Sequence, residues 1–246
     1  MIFSHSPCPL YSTRVDRLCV HVYGDRKQMG LAAGTEAARL IKHILNQQKR
    51  ATVVLAAAPS QDETLAALAA DGEVDWQRVT ALHMDEYVGL PADAPQTFGA
   101  YLRRQIFERA NPGAVYYLEG SARDLKVEIE RYSRLIVENP IDLVCAGIGE
   151  NGHLAFNDPG VADFVDIALV KQVDLDLQCR QQQVNDGCFE SLSAVPKQAL
   201  TLTIPALMSA RWIVCSVPGN LKARIVYQTL YGPITESVPA TVLRTH

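Results

Sequence analysis

The sequence predicts one α/β domain: a mostly parallel sheet, helices on both of its faces, and a lid or flap inserted at about 158–198. Three observations predict it. Short apolar runs alternate with helix-period stretches along the whole chain, the rhythm that parallel strands joined by helical crossovers produce. The 246 residues, 48% of them hydrophobic, suffice for one large core, and no internal repeat, low-complexity tract or linker divides them. Polar and glycine-containing clusters follow directly on several apolar runs, at the strand ends where sheets of this class hold ligands.

In chain order, 18–23 ("LCVHVY") reads as a strand and 26–48 as a helix. The run 52–58 ("TVVLAAA") is a strand and 61–70 a helix, with Ser60 and Glu63 spaced as a capping box. Strand 78–84 ("RVTALHM") precedes helices at 97–109 and 124–138. The continuous apolar run 141–147 ("IDLVCAG") has the pattern of a strand buried on both faces. Residues 158–198, with "DLDLQCRQQQVNDGCFESLSAVPK", are polar and turn-rich and break the rhythm, hence the lid. Strands at 200–204 and 211–217 and a helix at 219–231 complete the chain.

A net charge of −4 and a pI near 5.9 argue against nucleic acid or an anionic membrane as partner. An anionic small ligand would need a local basic site. No apolar run approaches the ~20 residues that span a bilayer. Residues 1–11 ("MIFSHSPCPLY") lack the basic and apolar regions of a signal peptide. The six cysteines show no CxxC spacing and several lie within apolar strands, so reduced thiols in a cytoplasmic protein are expected.

Four polar clusters fall at predicted strand ends: Ser60-Gln61, Asp85-Glu86-Tyr87, Glu150-Asn151-His153 and Gly219-Asn220-Lys222. Asp85, in "LHMDEYVGLP", is either an ordinary turn carboxylate or one held in a partly apolar cleft, where its pKa rises toward that of a useful base. His153, in "GIGENGHLAFNDPG", has a carboxylate five residues on, at Asp158, which makes an acid–base with an orienting partner. The plain alternative is a hydrogen-bonded loop histidine. No HxxxH, HxH or cysteine cluster accompanies His153, so no metal is expected. The helix start at Ser60 could offer N–H groups to an anion, although Asp62 and Glu63 oppose one there. Lys222, in "VPGNLKARIV", sits in the first turn of its helix, where a cation opposes the macrodipole; a bound anion would explain it.

"MDEYVGLP", "GIGENGHLAFNDPG", "VPKQALT" and "PGNLKA" occur in the order and approximate spacing of the glucosamine-6-phosphate deaminase family, also called glucosamine-6-phosphate isomerase. The chain resembles that family from about residue 18 to its end. The Asp-Glu-Tyr triplet separates it from the related 6-phosphogluconolactonases, which resemble the second motif alone. The resemblance implies a Rossmann-like fold, no metal or organic cofactor, and a small-molecule sugar phosphate as partner; some family members form homo-oligomers. It implies Asp85 as the base between C1 and C2 of an opened amino sugar. It implies His153 as the residue that opens the ring, with Asp158 and Asn151 beside it, and Lys222 as a phosphate ligand. Ser60 and Gln61 occupy the places of the family's phosphate loop, Arg180 is a further candidate phosphate clamp from the lid, and Gly149 and Gly152 would let backbone approach the sugar.

Three positions depart from the family pattern. Asn151 stands where its best-studied members carry Asp, and Asp158 stands for Glu with roughly 1.5 Å less reach, an error that can cost about 10²-fold in rate. "APSQDET" replaces a Gly-Gly-Thr phosphate loop. The expected activity is conversion of a 6-phosphorylated amino sugar to a ketose 6-phosphate and ammonia. A 6-phosphogluconolactonase-like hydrolase and a catalytically weak sugar-phosphate sensor are the alternatives.

Overall fold

The computed structural model describes residues 7–246. Residues 1–6, part of the 1–11 segment that lacks the pattern of a signal peptide, lie outside the described residues. A hairpin of β1 (Tyr11–Val15) and β2 (Leu18–Val22) comes first, then α1 (Arg26–Gln47), whose Gln28 N–H is capped by the Asp25 carboxylate at 2.8 Å. β3 (Ala51–Leu55), α2 (Asp62–Ala69), β4 (Val79–His83) and β5 (Asp85–Tyr87) follow. α3 (Phe98–Leu102) passes through a π-helical turn (Arg103–Phe107) into α4 (Glu108–Ala110), and β6 (Ala114–Tyr116) leads to α5 (Leu125–Glu138). Then come β7 (Leu143–Ala146), β8 (Val170–Asp174), α6 (Leu177–Asn185), β9 (Gln198–Leu202), α7 (Ile204–Met208), β10 (Trp212–Cys215) and α8 (Ala223–Tyr231).

Five strands form an all-parallel sheet in the order β10-β7-β3-β4-β6. The chain starts this sheet at β3, winds to one edge through β4 and β6, then returns to wind outward through β7 and β10. The direction reverses between β3 and β7, and in doubly wound sheets the ligand crevice opens beyond the carboxyl ends of the two strands at such a reversal. Both faces are covered, as the alternation along each strand requires. Val53, Leu55, Val79, Ala81, Leu143 and Cys145 pack into a core with α1, α2 and α3. Val54, Leu82, Val144 and Ala146 pack into a second core with α5 and α7.

Two predicted strands lie outside the parallel sheet. The 18–23 strand is β2 of the hairpin, paired antiparallel with β1. The 200–204 strand is β9, the centre of a three-stranded antiparallel sheet β5-β9-β8, with Asp85 paired to Thr201 and Val170 to Leu202. β4 therefore hands the chain to this second sheet across the single residue Met84. The lid is also more regular than its composition suggests, because β8 and α6 lie within it. Among the described residues no helix is long and apolar enough to cross a membrane. The six cysteines are free thiols, with Cys145 and Cys179 buried.

Candidate active site

A cleft of about 70 Å³ opens at the β3–β7 reversal. Ser60 and Gln61 beyond β3, Asp85 beyond β4, Gly147, Gly149 and His153 beyond β7, and Lys222 beyond β10 line it; α6 roofs it with Gln182, Gln183 and Asp186.

Asp85 opens β5 and is only 7% exposed. Phe98 and Phe156 form the apolar wall beside it, their rings stacked 5.6 Å apart, with Tyr87 packed behind both. Burial first, and the neighbouring Glu86 charge second, push the Asp85 carboxyl well above the usual range. Successive residues of a strand face opposite ways, and Glu86 points away from this cleft. Its carboxylate accepts N–H bonds from Tyr87 at 2.9 Å and from Phe98 and Gly99 at 3.0 Å, which ties β5 to the start of α3. Burial nevertheless pushes Glu86 up to about 7, against the pull of those three bonds. His83, also buried, fixes the junction between the sheets. Its Nε2 accepts the Leu118 N–H at 2.9 Å, so Nδ1 is the nitrogen that donates to the Asp85 carbonyl at 2.8 Å. Burial lowers the His83 pKa to about 4, keeping the ring neutral.

His153 Nδ1 lies 3.0 Å from Asp158 Oδ1, close but not aligned as a hydrogen bond. Asn151 braces both residues: its Nδ2 donates to Asp158 Oδ1 at 2.8 Å and its Oδ1 accepts the His153 backbone N–H at 3.0 Å. Only an amide can do both; an aspartate at 151 would face Asp158 with like charge. The buried Cys179 thiol of α6 lies against the same carboxylate. Burial alone would raise the Asp158 pKa, but His153, Asn151 and Cys179 together hold it below the usual value. His153, Asp158 and Cys179 offer ligand atoms all within 4.8 Å of one another, a geometry open to a metal ion.

The glycines of this loop serve the protein's own packing. A Cβ on Gly149 would stand 2.1–2.3 Å from three atoms of the His153 ring, and one on Gly147 would stand 2.7 Å from Gln61 Nε2. Gly152, at φ +90°, faces Val238 and Ile225 and does not line the cleft, so it is not placed to approach a ligand there.

At the far end of the cleft, the Gln61 amide is engaged within the protein. Nε2 donates to the Ser216 carbonyl at 3.1 Å and to Ser60 Oγ at 3.3 Å, and Oε1 accepts from Ser216 Oγ at 2.9 Å. Ser60 lines the cleft, and its Oγ is an acceptor in this network. The acids that oppose an anion here are themselves engaged, Glu63 with Arg26 at 2.7 Å and Asp62 with the Tyr101 hydroxyl. Lys222 lines the cleft and makes no salt bridge among the described residues. Burial lowers its pKa against the opposing pull of Glu150 and Asp186. Arg180 is not brought to the cleft. Its Nη2 donates to the Leu192 carbonyl at 2.6 Å and the Val195 carbonyl at 2.9 Å, so it braces the lid from inside.

His83, Cys179 and Gln182, whose Oε1 accepts the Glu150 N–H at 3.1 Å, were not singled out from the sequence. His83 alone left a signal there, as a polar residue inside an apolar strand.

A family profile described as glucosamine-6-phosphate isomerases/6-phosphogluconolactonase matches residues 24–246. A glucosamine-6-phosphate deaminase of Streptococcus equi subsp. equi is 36% identical over 222 residues, 90% of this chain and 92% of that one. One from Lactobacillus delbrueckii subsp. bulgaricus is 32% identical over 94% of this chain and 86% of its own length. A solved monomeric glucosamine-6-phosphate deaminase superposes with a TM-score of 0.81 at 30% identity, covering 90% of both chains. A 6-phosphogluconolactonase from Shewanella baltica shares the fold, with a TM-score of 0.75 at 17% identity over 91% of both.

Proposed function

The chain belongs to the family of glucosamine-6-phosphate isomerases and 6-phosphogluconolactonases, and on that premise we propose that it is a glucosamine-6-phosphate deaminase. It is an aldose–ketose isomerase that converts a 6-phosphorylated amino sugar to the ketose 6-phosphate with release of ammonia. The observation that carries this reading over the lactonase one is Asp85: a carboxylate buried at the cleft against an aromatic wall, which lactone hydrolysis would not need.

Lys222 and the Ser60 hydroxyl hold the phosphate at the β3 and β10 ends. His153, backed by Asp158 and Asn151, moves a proton at the ring oxygen and opens the pyranose. Asp85 takes the proton from C2 and returns it to C1. The resulting C2 imine adds water and loses ammonia, so the sequence of steps balances without a metal or organic cofactor. A 70 Å³ cleft is smaller than the roughly 300–1,000 Å³ of typical ligand pockets, so α6 must swing aside to admit a hexose phosphate. The free thiols fit a cytoplasmic enzyme. Sedimentation velocity decides whether it forms a homo-oligomer or stays a monomer like its solved relative.

General-base contributions are typically about 10²–10⁴-fold. Asp85→Asn should therefore fold, bind sugar phosphate about as well as wild type, lose at least about 10²-fold in kcat, and stop exchanging the C2 hydrogen with deuterated solvent. Ammonia release from glucosamine 6-phosphate and galactosamine 6-phosphate, run beside lactone hydrolysis, is the assay. Near wild-type deamination by the variant would rule out the base. Lactone opening without C2 exchange by the wild type would make the protein a hydrolase, and binding without turnover would make it a sensor.

A further inference from the structure

We propose that His153, Asp158 and Cys179 form a binding site for a thiophilic divalent cation of the Zn²⁺ type, which latches the lid helix α6 onto the cleft and arrests turnover. The latching and arrest rest on the deaminase reading; the binding site does not.

The three side chains come from two separate segments, the β7 loop and the lid, and each offers one ligand atom within 4.8 Å of the others. Four-coordinate zinc, with bonds of about 2.0–2.3 Å, sets its ligand atoms roughly 3.4–3.6 Å apart. His153 Nδ1 and Asp158 Oδ1, at 3.0 Å, are already near that spacing, and side-chain rotation covers the rest. A nitrogen, a carboxylate oxygen and a thiol sulfur are the donor set such a cation prefers.

A second observation points to a ligand. Asp158 is 1% exposed, and its Oδ2 has no hydrogen-bond partner; neither has His153 Nδ1. Buried polar atoms that converge without satisfying one another are costly. A shared cation satisfies them together. On binding, the thiol proton leaves to solvent, as every thiolate ligand requires.

The consequence follows from connectivity. Cys179 belongs to α6, whereas His153 and Asp158 belong to the loop beneath it, so one ion closes lid and floor together. With Nδ1 on the metal and a proton on Nε2, the His153 ring has no nitrogen left to accept a proton, and ring opening stops.

The test is titration of the chelator-treated protein with Zn²⁺ by calorimetry, without substrate, and with Co²⁺ as a spectroscopic probe. Wild type should bind one equivalent and give a thiolate-to-cobalt charge-transfer band. Cys179→Ser should lose that band and bind Zn²⁺ at least about 10-fold more weakly, and Cys179→Ala should do the same; two variants keep the result readable if one folds poorly. Zn²⁺ should inhibit wild type reversibly, with chelator restoring the rate. Each variant should resist Zn²⁺ relative to its own metal-free rate. Absence of the band in wild type, or equal Zn²⁺ affinity in wild type and both variants, overturns the site. A protein that binds Zn²⁺ through Cys179 but releases no ammonia overturns the functional reading and leaves the site standing.

Discussion

The two sheets supply the cleft in different ways. At the carboxyl ends of β3, β7 and β10 the parallel sheet offers turns, in which glycines and backbone groups set the shape and the side chains are braced from behind. Gln61 is held by Ser216, and His153 and Asp158 are held by Asn151. Across the cleft the antiparallel sheet offers a strand, β5, and through it a carboxylate set among aromatic rings, with backbone rather than side chains holding its position. The turns favour charged and polar ligand groups by placing donors around them. The strand withholds water from a carboxylate, which raises its pKa toward the range that the base proposed above would need. On the proposed reading, one crevice holds a polyanion and still carries a proton-accepting acid because these jobs fall to different sheets.

If the turn is a rigid frame, crowding it should do the most damage. In Gly149→Ala the new Cβ would meet the His153 ring at 2.1–2.3 Å, so ring or loop must shift by about 1 Å or more. Misplacement of that order costs about 10²-fold. The expected result is a fall of about 10²-fold in kcat/KM with the proton-transfer half of the site untouched, visible as retained C2 exchange on a pre-opened, acyclic substrate analogue. Wild-type turnover would mean that the loop yields and that its glycines are not a frame.

The comparison sharpens at the two cations. Lys222 lies on the turn side with no salt bridge among the described residues, whereas Arg180 lies inside the lid, bonded to two carbonyls. A charge-assisted hydrogen bond is worth about 1.5–3 kcal/mol. Lys222→Ala should therefore raise KM roughly 10- to 100-fold and leave kcat nearly unchanged. Arg180→Leu should leave KM alone and lower stability by about 1–3 kcal/mol, through the unsatisfied Leu192 and Val195 carbonyls. For a chain of this size that is about 2–4 °C in Tm per kcal/mol. Steady-state kinetics and thermal melts on both variants separate the roles, and a large KM effect from Arg180→Leu would return it to the cleft.

Legibility in the sequence follows the same divide. β3, β4 and β7 were readable as mainly apolar runs because they are buried on both faces, and the edge strand β10 was readable as the apolar run "WIVC". Polar residues at their ends marked the crevice. Of the antiparallel sheet only β9 was readable: β5 has three residues, and β8, "VKQVD", mixes buried and exposed positions within a polar segment; β6, the edge of the parallel sheet, is also only three residues long and was equally unreadable. The pairing of β8 with β9 depends on contacts far apart in sequence. The same limit explains Arg180 and Cys179. Composition places both in a lid, but only the fold of α6 turns one toward internal carbonyls and the other toward Asp158. Gln61 shows the reverse case. Its position at the cleft was readable, while the Ser216 partner that engages its amide lies 155 residues away.

The smallest effect expected tests the cause assigned to the strand side. Burial, and then the charge of Glu86, raise the Asp85 pKa in the folded protein above its unfolded value, so the native state binds more protons than the unfolded state between those two pKa values. Stability therefore falls as pH climbs from about 4 through the folded pKa, the opposite of a paired carboxylate, which gains stability over that range. Asp85→Asn keeps the size and polarity of the side chain and removes the ionisation. Its Tm should match wild type near pH 4 and exceed it increasingly toward neutral pH, in the same variant that is expected to lose C2 exchange. Thermal melts of both proteins across pH 4–8 read this directly. A gap that stays constant, or narrows as pH rises, would show that Asp85 is held as a comfortable carboxylate by its surroundings. The contrast between a sheet that solvates charge and a sheet that withholds water from it would then fail.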